Sequence, residues 1–192
     1  MYQKRNNNWL EVISLFSRNY KRDFYLREIS KLTKIPLKTT QNLLKELEES
    51  RILQSKIHGK NKYFLLNLGN IQTKLHMLHA ELYTTAQFLE KYVQFKTFLK
   101  ELNTNNTIII FGSFAKFNAN KNSDVDLLLI GKNEKLPSHL LPNKIHLINM
   151  TEINFIKALE KQEPFIKEMQ ENHAILNNHS FYVNVMWSYY EK

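Results

Sequence analysis

Apolar residues recur at helical spacing three times in the first fifty positions. Trp9, Val12, Ile13 and Phe16 define one amphipathic helix over 8–20, and Phe24, Leu26, Ile29 and Leu32 a shorter one over 24–34. Pro36 suits the first position of a third, over 36–50, in which Leu37, Thr40, Leu44 and Leu47 line one face. The opposite face carries Lys38, Thr39, Gln41, Asn42 and Lys45. Two short β-like runs follow around His58-Gly59-Lys60-Asn61, which predicts a hairpin bearing Lys56, Lys60 and Lys62. Residues 71–102 contain neither Gly nor Pro and repeat Leu, Phe and Tyr at helical spacing, so they form one long helix or two with a break near Thr84-Thr85.

After the polar stretch 103–107 the pattern changes. Ile108–Phe111 and Val125–Ile130 are nearly continuous apolar runs, as expected of strands buried on both faces. A Gly112-Ser113 turn and a polar segment join them. The prolines at 137 and 142 make 132–143 a loop with at most one helical turn. A third strand, 144–150, then runs into a helix over 152–161 capped by Thr151, and a second short helix has Pro164 near its start. His173–Leu176 leads through the Asn177-Asn178 turn signal into an aromatic tail, Phe181–Tyr190, expected to pack on the sheet or the long helix.

Composition adds two constraints. The chain of 192 residues has no cysteine, which excludes disulfides and thiolate metal sites. Its net charge of +9 is concentrated at one end, with 14 Lys+Arg against 6 Asp+Glu in residues 1–70 and 13 against 12 in the rest. Such asymmetry predicts a basic module that meets a polyanion, joined to a nearly neutral one. The first residues lack the apolar run of a signal peptide and no stretch is long enough to span a membrane, so a cytoplasmic protein without membrane contact is expected.

The candidate chemistry lies where the two apolar strands meet. Asp124 and Asp126 are two apart and therefore point to the same side of an extended chain, with Val125 turned away. Two neighbouring carboxylates repel, and a divalent cation relieves the repulsion. The Gly112-Ser113 turn offers backbone N–H groups and a hydroxyl to a phosphate.

Ile110, Phe111, Gly112, Ser113 and Ala115, followed by Ser123, Asp124, Asp126 and Leu127, resemble the signature of the DNA polymerase beta-type nucleotidyltransferase superfamily. The resemblance implies an α+β unit with a mixed sheet and flanking helices, over residues 104–192. It implies that Gly112 and Ser113 hold the phosphates of an NTP, with Ser123 and Lys116 beside them. Asp124 and Asp126 would be the catalytic residues that bind Mg²⁺. The second glycine of the pattern falls at Phe117, and the residue that aligns with its third carboxylate is His146, a candidate third metal ligand. The acceptor implied is a protein side chain or an RNA end.

Residues 8–68 resemble a winged helix-turn-helix domain, with 25–34 and 36–50 as the helix pair. In such domains the second helix of the pair enters the major groove and the hairpin touches the backbone. Lys38, Thr39, Gln41, Asn42, Lys45, Lys56, Lys60 and Lys62 are then the DNA-binding candidates, and double-stranded DNA the expected partner. Residues 1–70 would be this module and 71–103 a helical connector, whose aromatic surplus also suggests a homodimer. Two functions are consistent with the whole: a DNA-binding nucleotidyltransferase, or a transcriptional regulator that uses the second module as a nucleotide sensor or oligomerisation unit.

Overall fold

The computed structural model describes residues 7–191. The chain forms two compact units. Among the described residues, one comprises 7–80 together with 186–191, and the other comprises 81–185.

In the first unit, α1 (Asn8–Ser17), β1 (Phe24–Tyr25), α2 (Leu26–Thr33), α3 (Leu37–Glu49), β2 (Leu53–His58) and β3 (Asn61–Leu66) follow in order. The sheet order is β1-β3-β2, all antiparallel, with Phe24 opposite Phe64 and His58 opposite Asn61. Gly59, at φ +60°, supplies the left-handed residue of the two-residue hairpin turn. Val12, Ile13, Phe16, Ile29, Leu44 and Leu66 are buried, so the helical stripes read from the sequence do face a common core. Phe24 is buried from an extended strand, because its backbone pairs with β3 before α2 begins. Leu32 is half exposed. Tyr190 stacks on Tyr20 with ring centroids 5.4 Å apart, which ties the C-terminal residues into this unit.

Helix α4 (Ile71–Lys91) is unbroken at Thr84-Thr85; the interruption falls at Tyr92-Val93, before α5 (Gln94–Lys100). Thr85 stays helical by returning its hydroxyl to the chain's own polar groups, as described below. Phe88, Tyr92, Phe95 and Phe98 are buried in the second unit's core.

The second unit is built on β4 (Thr107–Phe111), a short helix α6 (Gly112–Ala115), β5 (Val125–Ile130), a 3₁₀ turn at Ser138–Leu140, β6 (Ile145–Met150), α7 (Glu152–Glu160), α8 (Pro164–Glu171), β7 (Ala174–Asn177) and α9 (His179–Glu191). The sheet is mixed, in the order β6-β5-β4-β7, with β5 antiparallel to β4 and parallel to β6. Both central strands are buried on both faces: Ile108 to Ile110 and Leu127 to Leu129 have no exposed surface. Burial of each such side chain stabilises by about 1.5–3 kcal/mol, which makes β4 and β5 the rigid base for the residues at their ends. Thr151 accepts a hydrogen bond from the Asn154 N–H and caps α7. Among the described residues no helix is long and apolar enough to cross a membrane.

Candidate active site at the end of the central strands

The site forms where β4 leaves the sheet and β5 enters it. Antiparallel pairing sets Phe111 opposite Asp126, and parallel pairing sets His146 opposite Asp126 on the other side. The register thus delivers the turn after Phe111, the second aspartate and the histidine to one end of the sheet.

Gly112 is buried at φ +66°, a conformation that costs a residue with a Cβ. A Cβ there would lie 2.1 Å from Asp126 Oδ2 and 3.0 Å from its Cγ. The glycine is required twice, for its backbone and for the carboxylate resting against it. Asp126 Oδ1 lies 3.2 Å from His146 Nδ1, so the carboxylate has one oxygen on the turn and the other facing the imidazole. Asp126 is half-buried, whereas Asp124 is exposed and makes no hydrogen bond or ion pair among the described residues. Ser113 is half-buried, and its hydroxyl likewise has no partner among the described residues.

The other sequence candidates are committed to contacts. Ser123 accepts the Asn120 N–H at 2.9 Å through its hydroxyl, and its carbonyl accepts from the Asn143 side chain at 2.9 Å, so it braces the loop ahead of Asp124. Lys116 pairs with Glu168 of α8 at 2.9 Å. The hydrogen bond and charge of Glu168 raise the lysine's pKa, with smaller contributions from Glu171 and Asp126. Glu168 had no signal in the sequence, since it lies 52 residues from its partner on another helix.

Phe117, at the place of the pattern's second glycine, keeps the left-handed backbone, at φ +57°. That conformation costs about 1–3 kcal/mol in a non-glycine residue. The ring packs against Tyr92 and Phe88, with centroids 6.2 and 6.4 Å away, and its carbonyl accepts from the Lys91 ammonium. These contacts hold the strained residue in place. Tyr92 in turn packs on Phe114 at 4.9 Å; burial pushes its phenol pKa up, partly offset by the Ala119 backbone. An aromatic wall thus supports α6 from behind.

Among the described residues no three of His, Cys, Asp and Glu converge as a metal-holding group. Asp126, at the start of β5, and Asp124, just before it, are the two carboxylates at this end of the sheet. Such a set fits Mg²⁺, which binds through one or two carboxylates and takes its remaining ligands from substrate phosphates and water. His146 is turned to Asp126 through Nδ1, which makes it a partner of the carboxylate.

In the first unit, Lys38, Gln41, Asn42 and Lys45 are exposed on α3 and Thr39 is half-buried. Lys45 lies 3.6 Å from Glu49, Lys56 2.6 Å from Asp23 and Lys62 2.6 Å from Glu48, whereas Lys60 has no ion-pair partner among the described residues. Exposed ion pairs of this kind contribute about 0–1 kcal/mol, so these lysines exchange partners readily.

No curated protein and no solved structure matches the chain. Residues 93–177, which carry the Gly-Ser turn, both aspartates and His146, match the family model described as a nucleotidyltransferase domain, which supports a place for this segment in the nucleotidyltransferase superfamily.

Proposed function

We propose that the protein is a DNA-binding nucleotidyltransferase that moves a nucleoside monophosphate from an NTP to a hydroxyl of a protein or RNA acceptor, with release of pyrophosphate. One observation carries the catalytic half. Asp126 rests its carboxylate on the glycine turn itself, where a Cβ would lie 2.1 Å away, so the groups for phosphate and for its counter-ion share one point.

In this reading Asp124 and Asp126 would hold Mg²⁺, which when bound neutralises phosphate charge and stabilises the attacking and leaving oxygens. Gly112 lets the phosphates approach the backbone, and Ser113 turns its unpartnered hydroxyl to them. His146 fixes the rotamer of Asp126 through the 3.2 Å contact. Lys116 passes from Glu168 to the triphosphate as the nucleotide enters, because phosphate offers it more charge than one exposed carboxylate does. It follows that Glu168→Gln releases the lysine in advance and raises NTP affinity a few-fold, whereas Lys116→Gln lowers it. A titration in which the two substitutions act alike would remove the exchange.

The DNA-binding half rests on the order helix, strand, helix, helix, hairpin and on the excess of positive charge in residues 1–70. Both are features of a winged helix-turn-helix, with α3 as the reading helix and the hairpin as the wing. A second reading, a regulator that binds nucleotide without turnover, is favoured by His146 standing where relatives of the pattern carry a third carboxylate.

The test is calorimetry of each NTP with Mg²⁺ into the wild type and Asp124→Asn/Asp126→Asn, followed by an assay for pyrophosphate with protein and RNA acceptors. Binding that needs the aspartates, with pyrophosphate released, supports the transferase. Binding without release under every acceptor supports the sensor, and no binding removes both.

A further inference from the structure

The first unit holds a cleft of about 730 Å³ between α2, α3 and the hairpin, lined among others by Tyr25, Arg27, Gln41, Leu44, Lys60 and Phe64. Its volume falls in the range of small-molecule sites, about 300–1,000 Å³. The floor is apolar: Leu44 and Phe64 are buried, and Tyr25 adds an aromatic side. The rim is cationic, with Arg27, Lys45, Lys60 and Lys62 against a single carboxylate, Glu48. That carboxylate is already taken, by Lys62 at 2.6 Å and by the Ser55 hydroxyl. Arg27 and Lys60 have no partner among the described residues, so two cations at the mouth of an apolar cleft are uncommitted.

The amide groups sharpen the chemistry. Gln41 and Asn61 both line the cleft; the Gln41 amide oxygen accepts from Lys38 at 3.5 Å, and among the described residues their side-chain N–H groups make no hydrogen bond. Both side chains are exposed and offer amide donors to the polar edge of a heterocycle, which a benzene ring could not use. A mononucleotide combines these features, a flat heterocycle with polar edges and an anionic phosphate.

We propose that this cleft is a nucleotide site, separate from the glycine turn, with the base against Phe64 and Tyr25, its edge read by Gln41 and Asn61, and the phosphate held by Arg27 and Lys60. The eight DNA-binding candidates then divide. Gln41, Lys45, Lys60 and Lys62 line the cleft, while Lys38, Thr39, Asn42 and Lys56 lie outside its lining. A bound nucleotide would span α3 and the hairpin, the two elements assigned to DNA. The site itself rests on the cleft and its charges and stands without either the DNA-binding or the transferase reading.

Equilibrium dialysis of the full chain against AMP, GMP, CMP and UMP, with EDTA to silence any metal-dependent triphosphate site, tests it. At least one mononucleotide is expected to bind saturably, at least tenfold more tightly than inorganic phosphate or benzoate. Arg27→Glu/Lys60→Glu should weaken it at least tenfold. Both side chains are exposed, so the double variant should keep its circular dichroism and melting temperature; Lys60→Gln alone provides the milder change. Absence of binding by all four mononucleotides overturns the proposal. So does binding that the charge reversal leaves unchanged, or equal retention of phosphate or benzoate, which would show an unspecific anion surface.

Discussion

Gly112→Ala is expected to lower nucleotide turnover by at least a hundredfold while leaving a folded protein. The methyl group would occupy the place of Asp126 Oδ2, 2.1 Å from the Cβ position, so the carboxylate must rotate off the turn and give up its contact with His146. Displacement of a reacting group by about 1 Å can cost about 100-fold in rate. The stability loss is of another size. A non-glycine residue at φ +66° costs about 1–3 kcal/mol, within reach of a unit whose central strands are fully buried.

The same strands supply a matched control. Gly131 follows β5 as Gly112 follows β4, at φ +139°, and a Cβ there would lie 2.1 Å from Asn106 Oδ1. Antiparallel pairing puts the two glycines at opposite ends of the strand pair. Gly131→Ala should therefore melt at a similarly reduced temperature yet bind Mg-NTP as the wild type does. Equal nucleotide binding and turnover by the wild type and Gly112→Ala would show that the turn and Asp126 do not form a phosphate site.

The end of the sheet was legible in the sequence because its signals are local. Continuous apolar runs marked β4 and β5, and four glycines in the whole chain made the one after Phe111 conspicuous. Partners contributed by distant elements carried no such signal. Lys116 reads as free charge until α8 brings Glu168 to it, and the loop-closing bond from the Asn120 N–H to the Ser123 hydroxyl has no signature of its own. The sequence allows one long helix or a break near Thr84-Thr85, and the helix runs through both threonines for a related reason. Thr84-Thr85 looks like a weak point by propensity, but Thr85 reaches the Ile175 carbonyl at 2.6 Å, a contact 90 residues away that outweighs its local preference. Phe24 fits a helical stripe in the sequence and is claimed instead by pairing with Phe64.

Glu81→Gln and His173→Gln are each expected to destabilise the second unit by about 3–5 kcal/mol, the cost of leaving one charge of a buried pair alone. Neither residue was conspicuous in the sequence, where they lie 92 apart. Glu81 has no exposed surface, and His173 Nε2 sits 3.1 Å from both of its carboxylate oxygens. The Met169 and Gln170 carbonyls, 3.1 and 3.2 Å from Nδ1, can only accept, so Nδ1 carries a proton. A further proton must lie between Nε2 and Glu81. Burial alone would lower the pKa of His173, but the Glu81 charge and hydrogen bond, with the two carbonyls, outweigh it and the net shift is upward. Stability from a raised histidine pKa is fully present below the unfolded value, about 6.5, and fades as the pH rises through the folded one. His179 opposes this. It lies 2.9 Å from the Thr85 hydroxyl, and burial lowers its pKa despite the Glu81 charge and the Ile175 backbone, so charging it costs stability as the pH falls below about 6.5. Denaturant melts from pH 5 to 9 should therefore lose the high-pH decline in His173→Gln and keep it in His179→Gln. The joint replacement Glu81→Met/His173→Leu leaves no charge unpaired and should recover most of the stability lost by either single variant. Single variants that melt like the wild type, or a double variant whose loss is the sum of the two, would show that the pair does not act as a unit.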